Sequence, residues 1–148
     1  MEKIVVVVEE AEAAITALKW ALHNILRCGD VVTLLHVYPT QRSKSKRKLR
    51  RLRLKGFQLA LSFRDICNAF PNTKTEIVVT EGDEEGGRIA AVVREIGAST
   101  LVVGLHDRSF LYRYLTLQNN SIRHLNCKVL AIKEPTTSPT STTISIEG

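Results

Sequence analysis

The chain has 148 residues, 44% of them hydrophobic and 24% charged, which fits one globular domain with room for a single substantial core. No apolar run approaches the ~20 residues that cross a bilayer, and the first, Ile4 to Val8, is too short for a secretory leader and runs into acids. Three widely spaced cysteines, Cys28, Cys67 and Cys127, give neither a disulfide framework nor zinc-ligand spacing, so a reducing, cytoplasmic setting with buried, inert thiols is expected.

The formal charge of +6 comes from 21 Lys+Arg against 15 Asp+Glu. Nine of those bases lie between Arg42 and Lys55 with no acid among them, and without them 12 bases face 15 acids, a net charge of −3. The chain is therefore a mildly acidic domain carrying one basic segment, not a basic surface throughout.

In chain order, Lys3–Val8 is the first of five apolar, β-branched segments, followed by Val31–Val37, Thr75–Thr80, Thr100–Gly104 and Lys128–Lys133. Each is close to the usual strand length of ~5–6 residues. They are continuous runs rather than alternations, the pattern of strands covered on both faces by helices. Helical patterns fill the gaps. Between Ala11 and Arg27, Ile15, Leu18, Leu22 and Ile25 form one apolar stripe, with Gly29 just past its end. From about Ser45 to Phe70 the stripe is Leu52, Gly56, Leu59, Phe63, Ile66 and Phe70, and Pro71-Asn72 stops the helix. A third helix is expected over Glu84–Ile96 (Ile89, Val92, Val93, Ile96) and a short fourth over about Asn119–Leu125. Residues 1–134 thus form the domain, with the basic stretch 42–55 inserted after the second strand. The Thr/Ser/Pro-rich tail, 135–148, has no apolar stripe and is expected to be disordered.

Alternating strands and helices imply right-handed βαβ crossovers and an open parallel five-stranded sheet with helices on both faces. Such α/β sheets hold ligands beyond the carboxyl ends of their strands, where strand order reverses. Those ends are Glu9-Glu10, His36-Val37-Tyr38, Glu81-Gly82-Asp83 and Gly104-Leu105-His106-Asp107. The chemistry expected of better-known nucleotide sites is absent from them. There is no Gly-x-x-x-x-Gly-Lys-Ser/Thr loop to wrap phosphates, and Glu9-Glu10-Ala11-Glu12 stands where a dinucleotide site needs Gly-x-Gly-x-x-Gly. The four histidines are scattered, and none sits beside a nucleophile in a catalytic motif, so no catalytic residue is assigned.

Ordered segments nevertheless resemble the universal stress protein family: Lys3-Ile-Val-Val-Val-Val-Glu9, Ala17-Leu-Lys-Trp20-Ala-Leu, Thr33-Leu-Leu-His-Val37, Val78-Val-Thr-Glu-Gly82-Asp83, Ala98-Ser-Thr-Leu-Val-Val-Gly104 and Cys127-Lys-Val-Leu-Ala-Ile132. The resemblance implies strand order 3-2-1-4-5 and the adenine nucleotide alpha-hydrolase-like fold. The long basic second helix and the loop starting at Gly104 look most like the plant branch. The resemblance also implies a non-catalytic adenine-nucleotide site at the ends of strands 1, 2 and 4, serving a stress-response or signalling role. Val8 and Glu9 would border the ribose, Val37 the adenine, and Gly104, Asn119, Asn120 and Ser121 the phosphates, with Gly82, Asp107 and Arg108 also at the site. The cofactor implied is ATP or another adenine nucleotide, with Mg²⁺ as its companion.

Nucleotide-binding members carry Gly-x-x-Gly, nine residues, then Gly-Ser/Thr after the fourth strand, because glycines let backbone N–H groups reach phosphate oxygens. Here Gly104 matches the first position, but Asp107 replaces the second glycine and Leu117-Gln118 replaces Gly-Ser. A carboxylate ~5 Å from a phosphate charge, at an effective dielectric of ~20, opposes binding by about 3 kcal/mol. That weakens affinity by a factor on the order of a hundred, so binding is expected to be weak. Arg108, Arg113 and the polar run Gln118–Ser121 offset part of it. The alternative is the same fold with a decayed pocket, acting as a homodimeric interaction module.

Other features are read structurally. The acids Glu81, Asp83, Glu84 and Glu85 begin the third helix and complement its dipole, so no metal is assigned. Trp20 lies opposite the first helix's stripe and is expected to pack against a neighbouring element. The segment 42–55 is a solvated helix face; its sharper alternatives are a nuclear-import address around Lys44–Lys48 and a surface for an unknown protein partner. No aromatic residue interleaves with its bases, which disfavours nucleic acid. The last strand (Val129, Leu130, Ala131, Ile132) is expected at the sheet edge, where pairing with its copy in a second subunit would make a homodimer.

Overall fold

The structure, a computed structural model, describes residues 1–40, 45–82, 87–106, 127–133 and 143–147, the last as backbone only. The strands are β1 (Lys3–Val7), β2 (Val31–Pro39), β3 (Lys74–Gly82), β4 (Thr100–Leu105), β5 (Lys128–Lys133) and β6 (Thr143–Glu147). The helices are α1 (Glu12–Asn24), α2 (Lys46–Cys67) and α3 (Gly87–Ile96). Strands β1 to β5 are parallel in the order 3-2-1-4-5, as expected, and β6 adds antiparallel to β5 at the far edge. The expected fourth helix lies outside the described residues.

The run of valines in β1 places it at the centre, paired with β2 on one side (Val5 opposite Thr33) and β4 on the other (Val5 opposite Leu101). Period-two alternation then sends its side chains into two cores. Val5 and Val7 join Leu101, Val103, Ile89 and Val93 beneath α3. Ile4, Val6 and Val8 join Leu18, Leu34 and Phe63 beneath α1 and α2. A strand buried on both faces has no polar alternation to show, which is why β1 is uniformly apolar.

Helix α1 stops at Asn24, earlier than its apolar pattern suggested, because Ile25 and Leu26 both donate to the Ala21 carbonyl and Asn24 Nδ2 donates to Trp20 O. The chain then turns through Gly29, at φ +90°, into β2. Asp30 is buried in that turn, its carboxylate accepting from the Glu2 N–H at 2.9 Å and the Arg27 N–H at 3.0 Å. The Glu2 bond, foremost, holds the Asp30 carboxyl below its ordinary range. Trp20 is half-buried against the α1–α2 core, so packing accounts for it.

Two expectations are corrected. Cys28 is exposed, because it falls in the turn beyond α1, whereas Cys67 and Cys127 are buried and desolvation pushes both thiols up. Residues 143–147 of the expected disordered tail form β6, in register with the outer edge of β5 from Lys128 opposite Glu147 to Ile132 opposite Thr143. Thr143-Ile144-Ser145-Ile146-Glu147 alternates with the period of a strand, and the open edge of β5 offers it a full ladder of hydrogen-bond partners. No helix among the described residues is long and apolar enough to cross a membrane.

Candidate functional site

Strand order reverses between β1 and β4, whose connections leave in opposite directions across the sheet. At that point Glu9, just past β1, and His106, just past β4, meet: His106 Nε2 stands 3.4 Å from Glu9 Oε2. Both side chains are largely covered, at 21% and 15% exposed, so this pairing of acid and imidazole is shielded from bulk water. Glu9 is thus at the switch point.

Val8 is placed differently from a ligand contact. It is wholly buried, its N–H donates to Leu35 O at 2.7 Å, and its carbonyl accepts from His36 Nδ1 at 2.7 Å. Its contribution to the site is to orient His36: with Nδ1 donating inward, the imidazole edge carrying Nε2 turns toward α2. Gly56 in α2 makes room for that ring, since a Cβ there would lie 2.5 Å from His36 Cδ2. This explains a glycine in the middle of a long helix, where it costs about 1 kcal/mol relative to alanine.

Around His36 opens a cleft of about 450 Å³ between the carboxyl end of β2 and α2. Val37, Tyr38 and Pro39 form one wall, Leu52 and Leu59 the other, and Glu10, Lys55 and Gln58 supply polar groups. Lys55 Nζ lies 3.7 Å from Glu10 Oε2 across its mouth. The cleft has the size and mostly apolar lining of a small-molecule site. Val37, expected at adenine, lines it. His36, Gln58 and Lys55 were not singled out as ligand contacts from the sequence; the available signal was the position of His36 at a strand's carboxyl end.

Gly82 is buried at the end of β3, its carbonyl accepting from the Thr40 N–H at 3.0 Å. It borders a second hollow of about 360 Å³ with Thr40, Gly87, Arg88 and Ala91. A Cβ on Gly82 would come within 2.8 Å of Val37 Cγ1, so the two residues expected at the site are neighbours. Gly104 has a packing reason of its own: a Cβ there would run into the Ala13 carbonyl in the first turn of α1. Its backbone seats that helix directly over β4, whatever else it does. Asp107, Arg108, Asn119, Asn120 and Ser121 lie outside the described residues. So do Asp83, Glu84 and Glu85; among the described residues no three His, Cys, Asp or Glu side chains cluster as metal ligands.

The decisive comparison is with families. A sequence model of the universal stress protein family matches residues 1–133. The chain belongs to the universal stress protein family. Solved structures agree on the fold. The hypothetical protein MJ0577 superposes with a TM-score of 0.72 over 92% of this chain and 98% of its own, at 20% identity. A universal stress protein family protein from Arabidopsis thaliana with AMP bound gives 0.66 over 91% and 93%, at 22% identity. A universal stress protein in complex with cAMP gives 0.62 over 93% and 98%, at 19% identity. No curated protein matches the chain.

Proposed function

We propose that this chain binds an adenine nucleotide weakly and without catalysis at the carboxyl ends of β1, β2 and β4, in a stress-response or signalling role. The observation that carries the reading is the cleft at the end of β2, which contains Val37 and is floored by the oriented His36. Strands β2 and β4 flank β1, so their ends stand about 10 Å apart, a span that a nucleoside with its first phosphate bridges. The purine would occupy the β2 cleft, the ribose would pass Glu9, and the phosphates would reach the segment after Gly104, with Mg²⁺ as their counter-ion. Two structural neighbours that hold AMP and cAMP support an adenine ligand. The absence of a nucleophile–base motif in the sequence supports a binding role over ATP hydrolysis.

A second reading is favoured by Asp107, whose charge opposes phosphate: the pocket is decayed and the fold serves as an interaction module. The homodimer through Val129 to Ile132 then needs β6 to leave the edge it occupies, or to offer its own outer edge. Mass spectrometry of small molecules released by denaturing the purified protein separates the two readings. Near-stoichiometric AMP, ADP or ATP supports the first; no adenine nucleotide, together with none taken up from a millimolar supply, overturns it.

A further inference from the structure

Helix α2 breaks two rules of a surface helix at once. Its first turn holds Lys46, Arg47 and Lys48 with no acid, so positive charge is stacked on the positive end of the helix dipole. Each such base costs about 0.3–1 kcal/mol relative to a favourable placement. In all the helix carries eight bases and one acid, Asp65. Its outer face also exposes Leu54 (60%), Phe57 (36%) and Leu61 (39%), three of the four large apolar side chains exposed among the described residues. The spacing of three and four puts them on one line, roughly 120° around the helix from Gly56, Ala60, Phe63 and Cys67, which bury the inner face. Local rules broken without a structural return are expected at functional surfaces.

We infer that the outer face of α2 docks an acidic amphipathic helix of a partner protein, its carboxylates facing Lys46 to Arg53 and its apolar anchors facing Leu54, Phe57 and Leu61. The order along the helix selects this occupant. Bases fill the first two and a half turns, the apolar line follows, and Asp65 closes the same line four residues after Leu61. A second copy of α2 would bring the same bases and be repelled. Phosphates of a nucleic acid would use the bases but leave the apolar line in water. An anionic bilayer would meet Asp65 where the line ends, and the helix cannot roll to insert its larger apolar face because that face is already packed on the sheet. A helix with an acidic and then an apolar segment matches each part, and its carboxylates relieve the charge at the α2 N-terminus.

The test uses the full chain and a synthetic helical peptide of about 18 residues, glutamate-rich in one half and with Leu, Phe and Leu at three-and-four spacing in the other. The expected result is saturable micromolar binding by fluorescence anisotropy. It is weakened at least ~10-fold in Leu54→Ser/Phe57→Ser/Leu61→Ser and in Lys46→Glu/Arg47→Glu/Lys48→Glu. The second variant is expected to melt no lower than the parent chain, because acids suit that helix end; lost binding with unchanged or raised thermal stability is what a purely structural role would not give. Equal binding by the parent and both variants overturns the inference, as does no binding at millimolar peptide. Capture by phosphatidylserine vesicles without capture of the peptide overturns it in favour of a membrane surface.

Discussion

Helices α1 and α2 lie on the same face of the sheet and are held there by different proportions of their length. Of the 13 residues of α1, six are buried, so almost every turn is fixed by the core and by the close approach of its first turn to Gly104. Of the 22 residues of α2, only four are buried, and its first two and a half turns have none. The core dictates α1; it dictates α2 only from Gly56 onward. The lesson is that upstream of Gly56 only the half-buried Leu49 and Leu52 answer to packing, so the seven bases that stand there are not placed by the core.

Substitutions along the two helices sharpen that contrast. Phe63→Ala, on the inner face of α2, is expected to cost about 3–5 kcal/mol in urea unfolding, because it empties a fully buried ring position shared with α1. Gly104→Ala is expected to cost about 1–3 kcal/mol, since the added methyl displaces the first turn of α1. Retained stability in Gly104→Ala would show that α1 is less firmly seated than its contacts imply. Asp30→Ala, in the turn that follows α1, orphans the Glu2 and Arg27 N–H groups and is expected to cost about 1–3 kcal/mol.

Asp30 also gives a pH dependence. Its native carboxyl titrates below the ordinary value of 3.8, so its stabilisation is complete above that value and is lost as pH falls through the lower native one. Urea midpoints measured from pH 5 downward should therefore fall more steeply for the parent chain than for Asp30→Asn. Thr33→Val works in the other direction. Thr33 Oγ1 is buried with no hydrogen-bond partner among the described residues, and the isosteric methyl is expected to stabilise by about 1 kcal/mol. The smallest effect belongs to the outer face of α2, where Leu54→Gln, at its most exposed apolar side chain, should change stability by less than about 0.5 kcal/mol.

The same contrast explains what was legible in the sequence. Apolar, β-branched runs marked all five parallel strands; burial on both faces explains β1, β4 and β5, whereas the edge strand β3 is only half-buried, and the stripe of Leu52, Gly56, Leu59 and Phe63 marked the inner face of α2. The β6 strand escaped because Ile144 and Ile146 sit in a Thr/Ser/Pro-rich tail, and their alternation gains meaning only beside the open edge of β5. Gly104 was singled out by its match to the family's glycine motif, and its packing role under α1 was not legible because Ala13, whose carbonyl it must clear, is distant in sequence. Glu9 and Val37 stand near strand ends, yet the cleft's other wall comes from α2, whose close approach to His36 at Gly56 joins residues distant in sequence.

The central claim is that the carboxyl end of β2, together with Glu9, admits an adenine nucleotide, and titration calorimetry of the full chain with Mg-ATP and with AMP tests it most directly. One nucleotide per chain, with a dissociation constant on the order of 100 µM and weaker binding in Glu9→Ala, is the predicted result. The absence of saturable heat with either nucleotide into the millimolar range would contradict it.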